Sequence, residues 1–268
     1  MSHAILDFIY GSPTWLWGSI LMMLLVGSAC SGLYIFHRSV HLELRKAHNE
    51  LAGFTVAVIS VVYAVLLAFI AIATWQSYIE AQDLVQREAD YVDSIYRDTI
   101  GLPPEVGREI RADLQQYVDV VANVEWPVQK DGKPSEAGAE SLRKLHAALV
   151  TMQPANLGQS VIQAEVLKTL NDLYRARASR LSAVEGHVPY VIWWIIFLGG
   201  ALTTSYTYLF GFHNFRMHLV MTSAVVMALG LVVVLIIALD WPFRGEVSVP
   251  PKAFLEVQRS WVDLPIQK

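Results

Sequence analysis

The chain has 268 residues, of which 54% are hydrophobic and only 16% charged, with a formal net charge of −4. A soluble domain carries roughly 25% charged residues, so the composition excludes an ordinary soluble globular protein. The acidic balance argues against a nucleic-acid binder.

The first thirteen residues contain no Lys or Arg. Thr14–Phe36 then runs without Asp, Glu, Lys or Arg, and a membrane-spanning helix needs about 20 such residues. It holds Cys30, the only cysteine, so no intrachain disulfide is possible. Gly27-Ser28-Ala29-Cys30 faintly resembles a lipoprotein cleavage box. No basic residue precedes it and Gly27 stands where leucine is usual, so the segment reads as a retained membrane helix. His37–Glu50 is a compact basic connection carrying Arg38, Arg45 and Lys46.

Leu51–Thr74 is the second expected span. Between Gly53 and Gly101 there is neither glycine nor proline. Nothing local stops the helix where it leaves the lipid, and at 1.5 Å per residue it could reach about 70 Å. Beyond it, Gln76–His187 holds 12 basic and 17 acidic residues and reads as helices throughout. Tyr78, Ala81, Val85, Ala89, Val92 and Tyr96 form one apolar stripe at helical spacing. A second helix is expected over about 104–124. Trp126-Pro127 and the Lys130–Pro134 segment are expected as a loop. Ser135 is the expected cap of a third helix bearing Leu142, Leu145, Leu149 and Met152. A fourth helix, about Leu157–Val184, presents Val161, Ala164, Leu167, Leu170, Tyr174 and Leu181.

Val188–Phe210 and Leu219–Leu239 complete four uncharged spans. The expected fold class is therefore all-α: a polytopic membrane protein with a helical extramembrane domain inserted between the second and third spans. Its parts are residues 1–75, 76–187, 188–241 and a C-terminal tail, 242–268. The basic first connection places itself in the cytoplasm by the positive-inside rule, and hence the helical domain outside. Arg175, Arg177 and Arg180 before the third span, and Arg244 after the fourth, pull the other way.

Gly53, Ala57, Ala64, Ala68 and Ala71, with Ser60, form a stripe of small residues in the second span. Such a stripe lets helices approach closely in lipid, either within the subunit or around a symmetry axis. Ser60, Tyr63, Leu67, Ile70 and Thr74 lie on the adjoining face and are candidates for lining a narrow apolar pore gated by dewetting. Glu80, Asp83 and Glu88 are candidates for an acidic vestibule beyond it, with Asp90 and Asp93 nearby. No ionisable residue lies deep in a span, which removes the usual signature of a proton-coupled pump. Asp240 ends the fourth span and reads as an interfacial carboxylate. His37, His41, His48, His213 and His218 should face one compartment. No ligand set completes a metal site around them, and no cofactor is expected. No nucleophile elbow, phosphate loop or catalytic carboxylate pair occurs, so no enzyme is expected.

Several segments resemble the bestrophin-like family of bacterial and plastid integral membrane proteins. They are His48–Phe54 leading into Val61–Phe69, then Glu88-Ala89 with Ile95-Tyr96-Arg97, then Tyr117 with Glu125-Trp126-Pro127. The most specific is Leu239–Val247, followed by Val249 and Pro250. Asn49, Arg97, Glu125, Trp126, Pro127, Asp240, Pro242, Phe243 and Gly245 are the motif positions. Trp241 stands where members of the family usually carry a basic residue. The resemblance implies homo-oligomeric ion channels whose second membrane helix lines the pore and continues into a helical, cytoplasmic domain. The acidic calcium clasp of the animal proteins is not recognisable here. The leading expectation is a homo-oligomer, tetramer or pentamer, conducting small inorganic ions in a bacterial cytoplasmic membrane, with lipid as its other partner and no nucleic acid. The alternatives are a membrane sensor or scaffold whose helical domain binds a protein, and an accessory subunit of a transporter.

Overall fold

The structure is a computed structural model that describes residues 3–47 and 49–262; His48 and the last six positions lie outside the described residues. It is all-helical among those residues. α1 (His3–Gly11) and α2 (Thr14–Ser39) are separated by Pro13, whose fixed φ suits the entrance to a helix. α3 is Leu42–Ala47, and α4 runs without a break over Asn49–Asp98, 50 residues or about 75 Å. α5 (Pro104–Val120) passes into a π-helical turn, Val121–Glu125, and then α6 (Trp126–Lys130). α7 is Ala139–Thr151, α8 Leu157–Val184, α9 Tyr190–Thr207, α10 Phe215–Leu239 and α11 Lys252–Val262.

Among the described residues, four helices are long and apolar enough to cross a membrane: α2, α4, α9 and α10. The chain divides into two compact units, one of residues 1–76 with 187–240 and one of 77–186 with 241–268. In the first unit α2 packs closely along α10, and α9 packs on both. Close approach is built from small residues. A Cβ at Gly230 would fall 2.6 Å from the sulfur of Met22, and one at Gly18 would touch Val234. Asn214 caps α10, its Oδ1 accepting from Arg216 and Met217 N–H.

The second unit has its own apolar core, including Val85, Val92, Ile110, Leu114, Leu145 and Leu170. α4 ends in a 3-10 turn at Thr99–Gly101, where a Cβ on Gly101 would overlap Ile162. Asn156 caps α8 through Gln159 N–H.

Three local expectations change. Trp126-Pro127 is helical, because the preceding π turn absorbs the proline that would otherwise break the ladder. Ser135 does not cap α7; Gly138 precedes the helix, and Ser135 Oγ accepts only a long bond from Ala137 N–H at 3.5 Å. The buried face of α8 runs through Val166, Leu170, Leu173, Arg177, Arg180 and Val184, while Val161 is exposed. The C-terminal segment is also ordered into the second unit: Phe254 and Trp261 of α11 are buried in its core.

Candidate functional site

Within the first unit α4 has two unlike faces. Ala52, Tyr63, Leu67 and Thr74 recur at helical spacing and are buried. The Tyr63 hydroxyl donates to the Ile196 carbonyl at 2.6 Å, and its ring lies so close to Gly199 that a Cβ there would be 2.4 Å away. Thr74 Oγ1 donates back to Ile70 O at 2.8 Å. Three of the five expected lining residues, Tyr63, Leu67 and Thr74, thus face the interior of their own unit, while Ser60 and Ile70 are half-buried at its edge. The reason is side-chain volume. A tyrosine and a leucine fill the gap to α9, and the small residues are left on the other side. Ala57, Ala64 and Ala68 are exposed, and Gly53 and Ala71 are half-buried. Opposite the buried face lies a ridge of exposed apolar side chains: Phe54, Val58, Val61, Val65, Phe69 and Ile72.

Farther along α4, Glu80 and Asp83 are exposed. Glu88 is not: it is 0% exposed, so it cannot belong to a vestibule. It falls in the centre of the buried face, between Val85 and Val92. There it accepts from Arg180 Nε at 2.6 Å and Nη2 at 3.1 Å, and from the Tyr117 hydroxyl. Arg180 Nη2 also reaches Glu125 at 3.0 Å. Arg177 takes the same carboxylate in a fork, 2.9 and 2.6 Å, and contacts the Tyr117 hydroxyl at 3.3 Å. The Gly138 N–H completes Glu125 at 2.8 Å.

Two carboxylates and two guanidinium groups therefore neutralise one another in a buried core. Burial pushes the Glu125 carboxyl up, but the Arg177 hydrogen bond and the Arg180 and Arg177 charges outweigh it and hold it below the ordinary range. Burial, then the Glu88 charge, raise Tyr117 well above an ordinary phenol, so it stays a donor. The network was hidden from sequence because each member occupies an apolar stripe position. The signal was present in α8, where Arg177 and Arg180 continue the spacing of Val166, Leu170 and Leu173.

The motif positions are structural joints. Asn49 Oδ1 accepts from Gly211 N–H at 2.8 Å, tying the first connection to the third. Arg97 pairs with Asp93 on the helix surface. Trp126 Nε1 donates to Val249 O at 3.1 Å, and its ring meets Phe243 and Phe254 edge-on while Arg180 lies over it. Pro127 follows in α6. The Pro242 carbonyl accepts from Val249 N–H at 2.8 Å, closing a loop in which Gly245 has φ 84°. Asp240 accepts from Val188 N–H at 2.6 Å, and burial pushes its carboxyl up to about 6 against the pull of that bond.

Together these features define a multi-pass, all-helical membrane protein, one of whose spanning helices continues unbroken into a helical unit with an ion-paired core. The model of the bestrophin-like domain matches residues 23–254, and the chain belongs to the bestrophin-like family. A crystal structure of a bacterial bestrophin homologue from Klebsiella pneumoniae, in a single-substitution form, superposes with TM-score 0.69 at 13% identity over 90% of this chain and 98% of that one. The same organism's homologue solved by Zn-SAD phasing gives TM-score 0.67 at 14% identity, covering 92% and 97%. A further crystal structure described as a membrane protein gives 0.69 at 12%, covering 90% and 97%. At these identities the likeness is one of fold. No curated protein matches the sequence.

Proposed function

We propose that the protein is a homo-oligomeric channel, of four or five copies, that passes small inorganic ions along an axis lined by the outer face of α4. The observation that carries this reading is the division of α4 into a face engaged by Tyr63, Leu67 and Thr74 and an opposite ridge left exposed. With those three residues committed to their own protomer, lining passes to Val61, Val65, Phe69 and Ile72. The alanine edge at Ala57, Ala64 and Ala68 then takes a neighbouring copy, since small residues permit close helix contact in lipid. A ring of valine and phenylalanine is narrow and apolar, and such a constriction gates by dewetting. Glu80 and Asp83 at its mouth would concentrate cations.

The same reading places the protein in a bacterial cytoplasmic membrane, with the 37–50 connection inside and the helical unit outside. Arg38 and Lys46 support it. The opposing arginines weigh less, because Arg177 and Arg180 are matched by Glu125 and Glu88.

The test is the reversal potential in planar bilayers under a salt gradient, on protein shown to be oligomeric. Val65→Ser or Phe69→Ser should raise leak current by hydrating the constriction. Glu80→Gln with Asp83→Asn should lower cation preference without changing assembly. Electrical silence of the wild type and both serine variants would overturn conduction and leave a membrane scaffold.

A further inference from the structure

A buried cation without a counter-ion sits where the first and third connections meet. Arg45, on α3, is only 4% exposed. Its Nη2 donates to His37 Nδ1 at 2.7 Å and its Nη1 to the Phe210 carbonyl at 3.5 Å. Neither acceptor is an anion, and Nε has no partner at all. Among the described residues no carboxylate pairs with Arg45. Glu43, in the same helix, is taken by Lys46 at 3.0 Å. A guanidinium keeps its charge under all ordinary conditions and offers five N–H donors, of which two are used here. Burying such a group unmatched is strongly unfavourable, so this corner calls for an anion.

The space for it is present. Arg45 lines a cavity of about 320 Å³ whose walls are otherwise mainly apolar, among them Phe36, Val40, Leu51, Ala52 and Leu209. The cavity lies where α2 and α9 end and α4 begins, which is the level of lipid headgroups. Its frame is rigid. A Cβ at Gly211 would lie 2.6 Å from the Lys46 amide nitrogen, and Asn49 holds the Gly211 N–H from the other side.

We infer that this cavity binds an acidic phospholipid of the surrounding membrane, its phosphate held by the Arg45 guanidinium and its acyl chain lying over Phe36, Leu51 and Leu209. A small soluble anion would satisfy the charge and leave the apolar walls unused. A zwitterionic lipid would fill the walls and bring its own cation to Arg45. Only an anion with a hydrocarbon tail matches both halves, and basic pockets between membrane helices select anionic headgroups on this principle.

The test uses the full chain in detergent, with thermal unfolding and native mass spectrometry after adding defined lipid. Phosphatidylglycerol should raise the melting temperature and remain bound, while phosphatidylcholine with the same acyl chains should do neither. Arg45→Gln should weaken phosphatidylglycerol binding at least ten-fold. Ala52→Leu, which narrows the cavity and leaves the charge, should weaken it likewise and serves if the arginine variant does not fold. Equal effects of the two lipids would overturn the inference, as would undiminished binding to a folded variant. A full effect of inorganic phosphate alone, or of oleate alone, would also overturn it by reassigning the site to a soluble anion or a fatty acid.

Discussion

Glu88, Glu125, Arg177 and Arg180 are each at least nine-tenths buried, and their charges cancel within one cluster. Such a cluster is more costly to break than to omit, because removing one member strands another in a dry site. Glu125→Gln should destabilise the helical unit by about 3–5 kcal/mol in thermal or denaturant unfolding of the purified protein. Tyr117→Phe removes a neutral hydroxyl that donates to Glu88 and accepts from Arg177, and should cost about 1–3 kcal/mol. The Glu125 carboxyl is held low in the folded state, so its stabilising share is complete above the unfolded value of about 4.3 and is lost as pH falls through the folded value. Acid unfolding of the wild type should therefore steepen below about pH 4, and that component should vanish in Glu125→Gln. Asp240 behaves in the opposite sense. Its folded value is raised to about 6, so its contribution is full in acid and declines as pH rises through that value. Asp240→Asn keeps an acceptor for the Val188 N–H and should melt above the wild type by a wider margin at pH 8 than at pH 5. Any matching melting curves for the two proteins at both pH values would refute this.

At the scale of elements, α4 was the most legible part of the chain. The absence of glycine and proline between Gly53 and Gly101 matches a helix running to Asp98. Which side of it faced inward was not legible, because in a span both faces are apolar and period alone does not separate packing from lipid contact. The size of Tyr63 and its fit against Gly199 decided the matter. α8 failed for the converse reason. Its inner stripe contains Arg177 and Arg180, and a search for hydrophobic recurrence passes over it in favour of Val161 and Leu181. The same blindness put Glu88 among exposed carboxylates. For α4 itself, Ala64→Leu or Ala68→Leu adds bulk to an exposed edge within the protomer, so the folded monomer should tolerate it. Assembly should not, at about 1–3 kcal/mol for overpacking a close contact. Mass photometry in lipid should then show smaller particles for these variants than for the wild type, and a wild type that is already monomeric would defeat the proposed oligomer.

For the molecule as a whole, the four spans were readable from length and composition, whereas Arg45 was not. In sequence it is one more basic residue in a basic connection, and only the fold buries it. Sidedness can be measured directly. On a Cys30→Ala background, Glu136→Cys should react with an impermeant thiol reagent in intact cells; labelling only after lysis would put the helical unit in the cytoplasm. The π-helical turn at Val121–Glu125 bears on how such a chain can change over time. Tyr117 and Glu125 both meet Arg177, yet eight residues along a regular helix would set them about 80° apart around its axis. The widened turn takes up the excess and brings them into line. That alignment depends on the surplus residue being held in the widened turn. Point substitutions at Ala122 or Asn123 leave it intact, and deleting either one would restore an ordinary ladder with seven residues from Tyr117 to Glu125, about 20° apart, so the two sides of the turn would keep their phase. The turn thus amounts to one surplus residue carried in a regular helix, and this stretch should tolerate the loss of that residue as well as the exchange of side chains.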